Sequence, residues 1–311
     1  MKLSFVIPCY NEEKNVQPMY KAVKDDLENC GFDYEIIFVN DGSSDGTLKE
    51  LKKLLDGEIP VKIIDFSRNF GKESAMYAGL EESGGEYITI IDGDLQQRPS
   101  LALEMVSFLE KEKEYDCVAA FQNERGESKT LTFFKNRFYK LINRVTDTEF
   151  VQGASDFRTF RRPMAQSILE MKEYFRFSKG LFSWVGYKTY FIPYKAEERA
   201  NGSSKWSFKK LFSYALDGIF SFSTTPLRFA SVAGIITSLL SLIYLIVVIV
   251  QKLVFGIPVK GYATIVVLIL LLGGMQLFAL GIIGEYIARI YIQTKNRPIY
   301  IAKKIYKNFE D

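Results

Sequence analysis

Two long runs without charge restrict most strongly what this 311-residue chain can fold into. Phe229 to Val250 contains no charged side chain, and Ala263 to Ile283 is a second such run. A helix needs about 20 consecutive apolar residues to cross a bilayer, and both runs reach that length. Two membrane spans are therefore expected, over 229–250 and 263–288, inside a membrane segment 226–290. Only Gln251–Tyr262 separates them, so the spans should form an antiparallel hairpin. Residues before 225 are mixed in character and read as globular.

Basic residues near the span ends set the expected orientation. Lys205, Lys209, Lys210 and Arg228 precede the first span, and Arg289, Lys295, Arg297, Lys303, Lys304 and Lys307 follow the second. Only Lys252 and Lys260 lie between. The positive-inside rule then puts the globular part and both termini in the cytoplasm, with the hairpin in the cell (inner) membrane and 291–311 as a basic cytoplasmic tail. The N-terminal apolar run Leu3–Ile7 is too short for a signal peptide, so none is expected.

The chain has no histidine, which excludes a Ser-His triad, His-ligated zinc and an imidazole base. Acid-base chemistry is left to carboxylates, lysine, tyrosine or the substrate. Cys9, Cys30 and Cys117 are scattered without metal spacing and fit a reducing compartment. A net charge of +3 gives no reason to propose nucleic acid.

In the globular part strands and helices alternate. Strands are expected over 2–8, Tyr34–Val39, Val61–Phe66, the run at Tyr87–Ile91, Tyr115–Phe121 and Tyr187–Tyr194, and amphipathic helices follow the first four. This spacing predicts a doubly wound, mostly parallel α/β sheet. Ligands in such sheets sit beyond the carboxyl ends of the strands, and four of those ends here are polar loops. The fourth is Asp92-Gly93-Asp94-Leu95-Gln96, a cluster of hard oxygens suited to Mg²⁺ or Mn²⁺ and hence to a diphosphate. Neither a Gly-x-Gly-x-x-Gly turn nor a P-loop follows the first strand, so phosphates must be held by metal and side chains. Residues 122–144 interleave cations and aromatics, suited to a membrane surface or a lipid phosphate. Asp156 is a lone acid among small and apolar residues, which must be paired with Arg158 or functional. An interfacial helix is expected over 205–225, with Trp206, Lys209 and Lys210 at headgroup level.

In this order the motifs resemble glycosyltransferase family 2, specifically its membrane-anchored polyprenyl-phosphate glycosyltransferases. They are Pro8-Cys9-Tyr10-Asn11-Glu12, Asn40-Asp41-Gly42-Ser43, Asp92-Gly93-Asp94-Leu95-Gln96, Ser155-Asp156-Phe157-Arg158, Gly202-Ser203-Ser204-Lys205 and the hairpin. The resemblance implies a GT-A nucleotide-diphosphosugar transferase domain over 1–204. It also implies inverting transfer of a hexose, UDP-glucose being the first choice of donor, to a polyprenyl (undecaprenyl) phosphate. By the same resemblance Pro8, Tyr10, Glu12, Asp41, Asp92, Arg199 and Lys205 hold the nucleotide sugar, and Asp92, Asp94 and Gln96 hold the metal. Asp156, Asp94 and Lys205 form the catalytic set, and Arg125 and Lys135 receive the acceptor phosphate.

The acceptor's second pKa is about 6, so it is mostly a dianion near neutrality and hardly needs a base. Asp156 then either orients cations or removes a residual proton, and in the second case Asp156→Asn costs more at low pH. UDP-N-acetylglucosamine and GDP-mannose are the alternative donors. A synthase that threads a polymer across the membrane needs more helices than two. A silent nucleotide-sugar binder has no need of Asp92, Asp94, Asp156 and Lys205 together. Exposed aromatics of the interfacial helix could pair protomers into a homo-oligomer.

Overall fold

The computed structural model describes residues 2–28, 30–122, 137, 143, 151, 153–194, 218–253 and 261–309. They form two compact units, one of residues up to 221 together with 297–311, the other of residues 222–296.

In the first unit β1 (Leu3–Cys9), β2 (Tyr34–Asn40), β3 (Val61–Phe66) and β4 (Tyr87–Ile90) alternate with α1 (Val16–Leu27), α2 (Thr47–Lys53), α3 (Lys72–Glu81) and α4 (Ser100–Lys111). There follow β5 (Cys117–Gln122), β6 (Ala154–Arg161), α5 (Arg162–Glu170), α6 (Ser178–Trp184), β7 (Thr189–Tyr194) and β8 (Ala302–Lys307). All eight strands join one sheet in the order β7-β5-β6-β4-β1-β2-β3-β8. Successive side chains of a strand point to opposite faces, and here both faces are covered. Leu3, Phe5 and Ile7 pack with Val16, Met19, Ala102 and Met105 of α1 and α4. Val6, Ile88 and Ile90 pack on the other face with Met76, Leu80, Met164 and Phe182 of α3, α5 and α6. Gly79 permits the close approach of α3, since a Cβ there would stand 2.2 Å from Val6 Cγ1.

Two strands run against the rest. β6 pairs antiparallel with β4 and with β5, and β8 pairs antiparallel with β3. The sequence reading leaves 154–161 without a strand. Phe157, Thr159 and Phe160 are fully buried and Arg158 is nearly so, so the strand is covered on both faces and lacks the polar-apolar alternation that marks a half-buried one. The stretch expected as a basic tail over 291–311 also holds more structure than that. Residues 302–307 complete the sheet, with Lys303, Lys304 and Lys307 exposed along an edge strand where charge discourages pairing with other chains. Asn308 fastens this end: its Oδ1 accepts from Val61 N (2.8 Å), and its Nδ2 donates to Gly57 O (3.0 Å) and Ile59 O (2.9 Å).

The second unit is a helical hairpin, α7 (Thr225–Leu253) and α8 (Tyr262–Thr294). Both helices extend beyond the charge-free runs into their polar flanks. The most apolar 18-residue windows within Thr225–Gln251 and Thr264–Thr294 have mean hydropathies of 2.7 and 2.6, and no part of either window is buried. Helices that expose Leu, Ile and Val on all sides need an apolar solvent, so they are long and apolar enough to anchor the chain in a membrane. Within the hairpin Thr237 Oγ1 donates to Ala233 O (2.7 Å) and reaches Met275 Sδ (3.0 Å), and Tyr286 OH donates to Ser223 O (2.6 Å).

Candidate active site at the strand ends

β1, β2, β3 and β4 are mutually parallel, so their carboxyl ends share one rim of the sheet. β6 meets that rim from the opposite direction. Its register with β4 pairs Ile90 with Arg158, and two residues on from Ile90 and two back from Arg158 this brings Asp92 beside Asp156. Two carboxylates so placed repel unless a cation stands between them. Lys72, the first residue of α3, fills that position, its Nζ lying 2.6 Å from Asp92 Oδ1 and 2.6 Å from Asp156 Oδ2. Asp156 is the most shielded of the three, its side chain 16% exposed against 30% for Asp92 and 39% for Lys72.

Charge governs the ionisation of this cluster. Burial pushes the Asp156 carboxyl up, but Lys72, then Lys179 and Arg158, outweigh it and hold the group well below the usual carboxylate range. Burial likewise pushes the Lys72 ammonium down, and the attraction of Asp156 and Asp92 reverses this, so the lysine stays charged. Glu73, next to Lys72, shifts the other way from Asp156. Burial first, and then the charge of Asp156, push its carboxyl up to about 7. Its Oε2 accepts from Ser178 N (2.9 Å) and its Oε1 from Ser178 Oγ (3.1 Å), and that same hydroxyl lies 3.5 Å from Asp156 Oδ1.

The Asp-Gly-Asp turn is tight. Leu95 has φ 61°, in the left-handed region that side chains other than glycine rarely enter, and Gln96 N donates to Asp94 Oδ1 at 3.2 Å. Gln97 closes the turn from beneath, its Oε1 accepting from Asp92 N at 3.0 Å. Asp92 and Asp94 together offer hard oxygens to a divalent cation, and Gln96 follows on the same turn. Among the described residues no third carboxylate or thiol joins them, so a cation here would take its remaining ligands from a diphosphate and water. The donor chemistry fits Mg²⁺ or Mn²⁺ on those terms.

The neighbouring loops are stitched to one another. Asn11 N donates to Ser43 Oγ (2.9 Å), Glu12 N to Thr47 Oγ1 (2.8 Å) and Ser44 N to Asn11 Oδ1 (2.8 Å). Asp41 is 3% exposed and turned towards the loop after β3, its Oδ1 accepting from Phe70 N (2.6 Å) and its Oδ2 from Gly71 N (3.0 Å). Gly42, at φ 61°, lets that loop come close: a Cβ there would lie 2.3 Å from the carbonyl carbon of Arg68. Tyr10 is 41% exposed at the same rim, near Pro8 and Glu12.

Of the expected site residues the structure thus brings Asp92 and Asp156 together and sets Pro8, Tyr10, Glu12, Asp41, Asp94 and Gln96 on the same rim. Arg125, Lys135, Arg199 and Lys205 lie outside the described residues, as do residues 205–217 of the expected interfacial helix; residues 218–222 are helical. Lys72 and Glu73 were missed by sequence reasoning. A signal existed, because a lysine opening a helix opposes the helix dipole and calls for carboxylates nearby.

Comparison with known proteins follows this geometry. Residues 4–169 match the family model for glycosyl transferase family 2, and residues 225–290 match the GtrB C-terminal hairpin. CsbB of Bacillus subtilis (strain 168), a glycosyltransferase by name, is 45% identical over 302 residues, covering 97% of this chain and 91% of that protein. The SfII prophage-derived bactoprenol glucosyl transferase of Shigella flexneri is 40% identical over 312 residues, 99% of each chain. The prophage bactoprenol glucosyl transferase homolog of Escherichia coli (strain K12) is 39% identical, covering 99% of this chain and all of that one. Among solved structures, glucosyl-3-phosphoglycerate synthase from Mycobacterium tuberculosis matches with a TM-score of 0.49 and 18% identity over 70% of this chain and 78% of its own. With a matching family model over more than half its length and relatives alike from end to end, this chain belongs to glycosyl transferase family 2.

Proposed function

We propose that this glycosyltransferase moves glucose from UDP-glucose to undecaprenyl phosphate, with inversion, at the cytoplasmic side of the cell membrane. The observation that carries the reading is the Asp92–Lys72–Asp156 cluster at the strand-end rim of a chain that also carries an apolar hairpin. The likeness to bactoprenol glucosyl transferases over almost the whole chain supports glucose as the sugar and a polyprenyl phosphate as the acceptor.

In the reaction an oxygen of the acceptor phosphate attacks the anomeric carbon, the bond from that carbon to the diphosphate breaks, and UDP leaves with both bonding electrons. The acceptor, with its second pKa at about 6, arrives largely as a dianion and supplies its own nucleophile. Asp156, held ionised by Lys72, is a weak proton acceptor, so its part is to orient the ammonium and shape the charge at the rim. Asp92, Asp94 and Gln96 would hold Mg²⁺ or Mn²⁺, which when bound offsets charge on the diphosphate oxygens. Lys72 brings a fixed positive charge to the same rim, where it favours the transition state over the ground state as the leaving group gains charge. Tyr10, Pro8 and Glu12 wall the nucleoside, and Asp41 acts through the loop it fixes. Lys205 and Arg199 close over the diphosphate, and Arg125 and Lys135 meet the acceptor phosphate.

The test is transfer of labelled sugar from UDP-glucose, UDP-N-acetylglucosamine and GDP-mannose to undecaprenyl phosphate by the purified protein, with Mg²⁺, Mn²⁺ or EDTA. A metal-dependent glycolipid from UDP-glucose is expected. A glycolipid from another donor alone would replace the sugar, and none from any donor, with nucleotide binding intact, would leave a silent binder.

A further inference from the structure

Ser178 has one hydroxyl proton and two carboxylates within reach, Glu73 Oε1 at 3.1 Å and Asp156 Oδ1 at 3.5 Å. It can donate to only one of them at a time. An ionised Glu73 is the nearer acceptor and takes the proton. A protonated Glu73 turns donor towards Ser178 Oγ, which frees the hydroxyl for Asp156, while Ser178 N still donates to Glu73 Oε2. We propose that Glu73 is a positioning residue for Asp156 that acts through Ser178: uncharged, it passes the hydroxyl to Asp156, and charged, it withdraws it. The inference rests on the glucosyl-transfer reading for its kinetic readout.

The surroundings suit such a switch. Glu73 lines a small cavity with Tyr77, Arg176 and Ser178 and with the apolar side chains of Met76, Leu80 and Phe182, and its burial there disfavours its charge. The charged and titratable groups that face it are Lys72 and Tyr77 on its own helix, Asp156 on β6, and Arg176 and Lys179 around the start of α6, with Glu173 beyond Arg176. Arg176 is spent elsewhere in part, with Nη1 donating to Met171 O at 2.5 Å and its guanidinium 4.6 Å from the Tyr77 ring. With its carboxyl up at about 7, Glu73 changes state in the neutral range. When it ionises, Asp156 loses a donor and the rim gains negative charge, which works against a departing diphosphate.

Glu73→Gln should lock the uncharged arrangement, because the amide can donate to Ser178 Oγ and accept from Ser178 N. The experiment is the ratio of variant to wild-type glucosyl transfer at saturating substrates from pH 5.5 to 8.5, a ratio in which ionisation of the acceptor cancels. The ratio is expected to rise roughly fivefold, the net worth of about one ordinary hydrogen bond, with its midpoint near neutrality. A flat or falling ratio overturns the proposal. Ser178→Ala alone provides a second route should Glu73→Gln fold poorly: Glu73 and its charge are present in both proteins, so the ratio of Ser178→Ala to wild-type transfer should rise by a similar factor across neutrality as the wild type loses the hydroxyl from Asp156, and a flat ratio overturns the relay. Thermal unfolding gives a readout without catalysis. A carboxyl raised from 4.5 to about 7 on folding makes the wild type lose stability as pH climbs through that window, and Glu73→Gln should flatten this trend. Wild type that makes no glycolipid would sink the reaction reading alone; identical unfolding trends in the two proteins would sink the ionisation of Glu73.

Discussion

Lys72 stands where a helix least favours a cation, at the positive end of the α3 dipole, a placement that costs about 0.3–1 kcal/mol by itself. Asp92 and Asp156 reverse that cost and are held together by it. Lys72→Met is therefore expected to lower turnover by roughly 100-fold or more, the usual loss for one electrostatic group at a reacting centre. Lys72→Arg should recover activity to within about tenfold, since charge is kept while the fork geometry differs. Turnover in lipid nanodiscs checks both, and a Met variant within tenfold of wild type would make the lysine merely structural. Asp156 follows from the same pairing. Because Lys72 holds it below the ordinary carboxylate range, Asp156→Asn should still cost activity at about pH 8, where the acceptor is almost wholly dianionic, and the loss there should differ from that at pH 6 by no more than about the fivefold change that passes through Glu73 and Ser178. A loss confined to the lower pH would instead mark proton removal.

β8 pairs with β3 across more than 200 residues of chain and closes one edge of the sheet. Tyr300, just before it, stacks on Phe66 with centroids 4.9 Å apart, and Phe66 meets Phe70 edge-on at 5.6 Å. Ser67 N donates to Ile301 O at 3.0 Å, and Phe70 N holds Asp41. The segment after the hairpin thus braces the loop after β3 that also holds Asp41 at the rim. Removing residues 298–311 should lower the unfolding temperature and weaken UDP binding together, measured by thermal unfolding and calorimetry in detergent. Tyr300→Ala should raise the KM for UDP-glucose about two- to tenfold, the worth of one aromatic pair, with kcat little changed, and Tyr300→Phe should behave as wild type. A fall in stability with an unchanged KM would confine Tyr300 to the fold.

For the whole molecule the orientation of the hairpin decides on which side the rim works. With Cys30 replaced by serine and the buried Cys9 and Cys117 left in place, a cysteine at Gly256 should react with an impermeant maleimide added to intact cells. One at the exposed Lys303 should react only after the membrane is opened, and the reverse pattern would invert the topology. The hairpin and the parallel core were legible in the sequence because each depends on local composition: an uncharged run of span length, or strand and helix periods in succession. Asp92 and Asp94 were legible because the strand that delivers them is contiguous with them. β6 was not, since a strand buried on both faces loses its alternation, and β8 was hidden because its lysines read as a solvated tail. The sequence by itself determined the parallel strands with the helices between them, the apolar hairpin and the acid turn. Only the tertiary structure decided that β6 enters the sheet backwards between β4 and β5, that its register sets Asp156 beside Asp92, and that Lys72 stands between them. The physical reason is range, because periodicity and composition act over a few residues, whereas an antiparallel register and the balance of three charges depend on segments far apart in the chain.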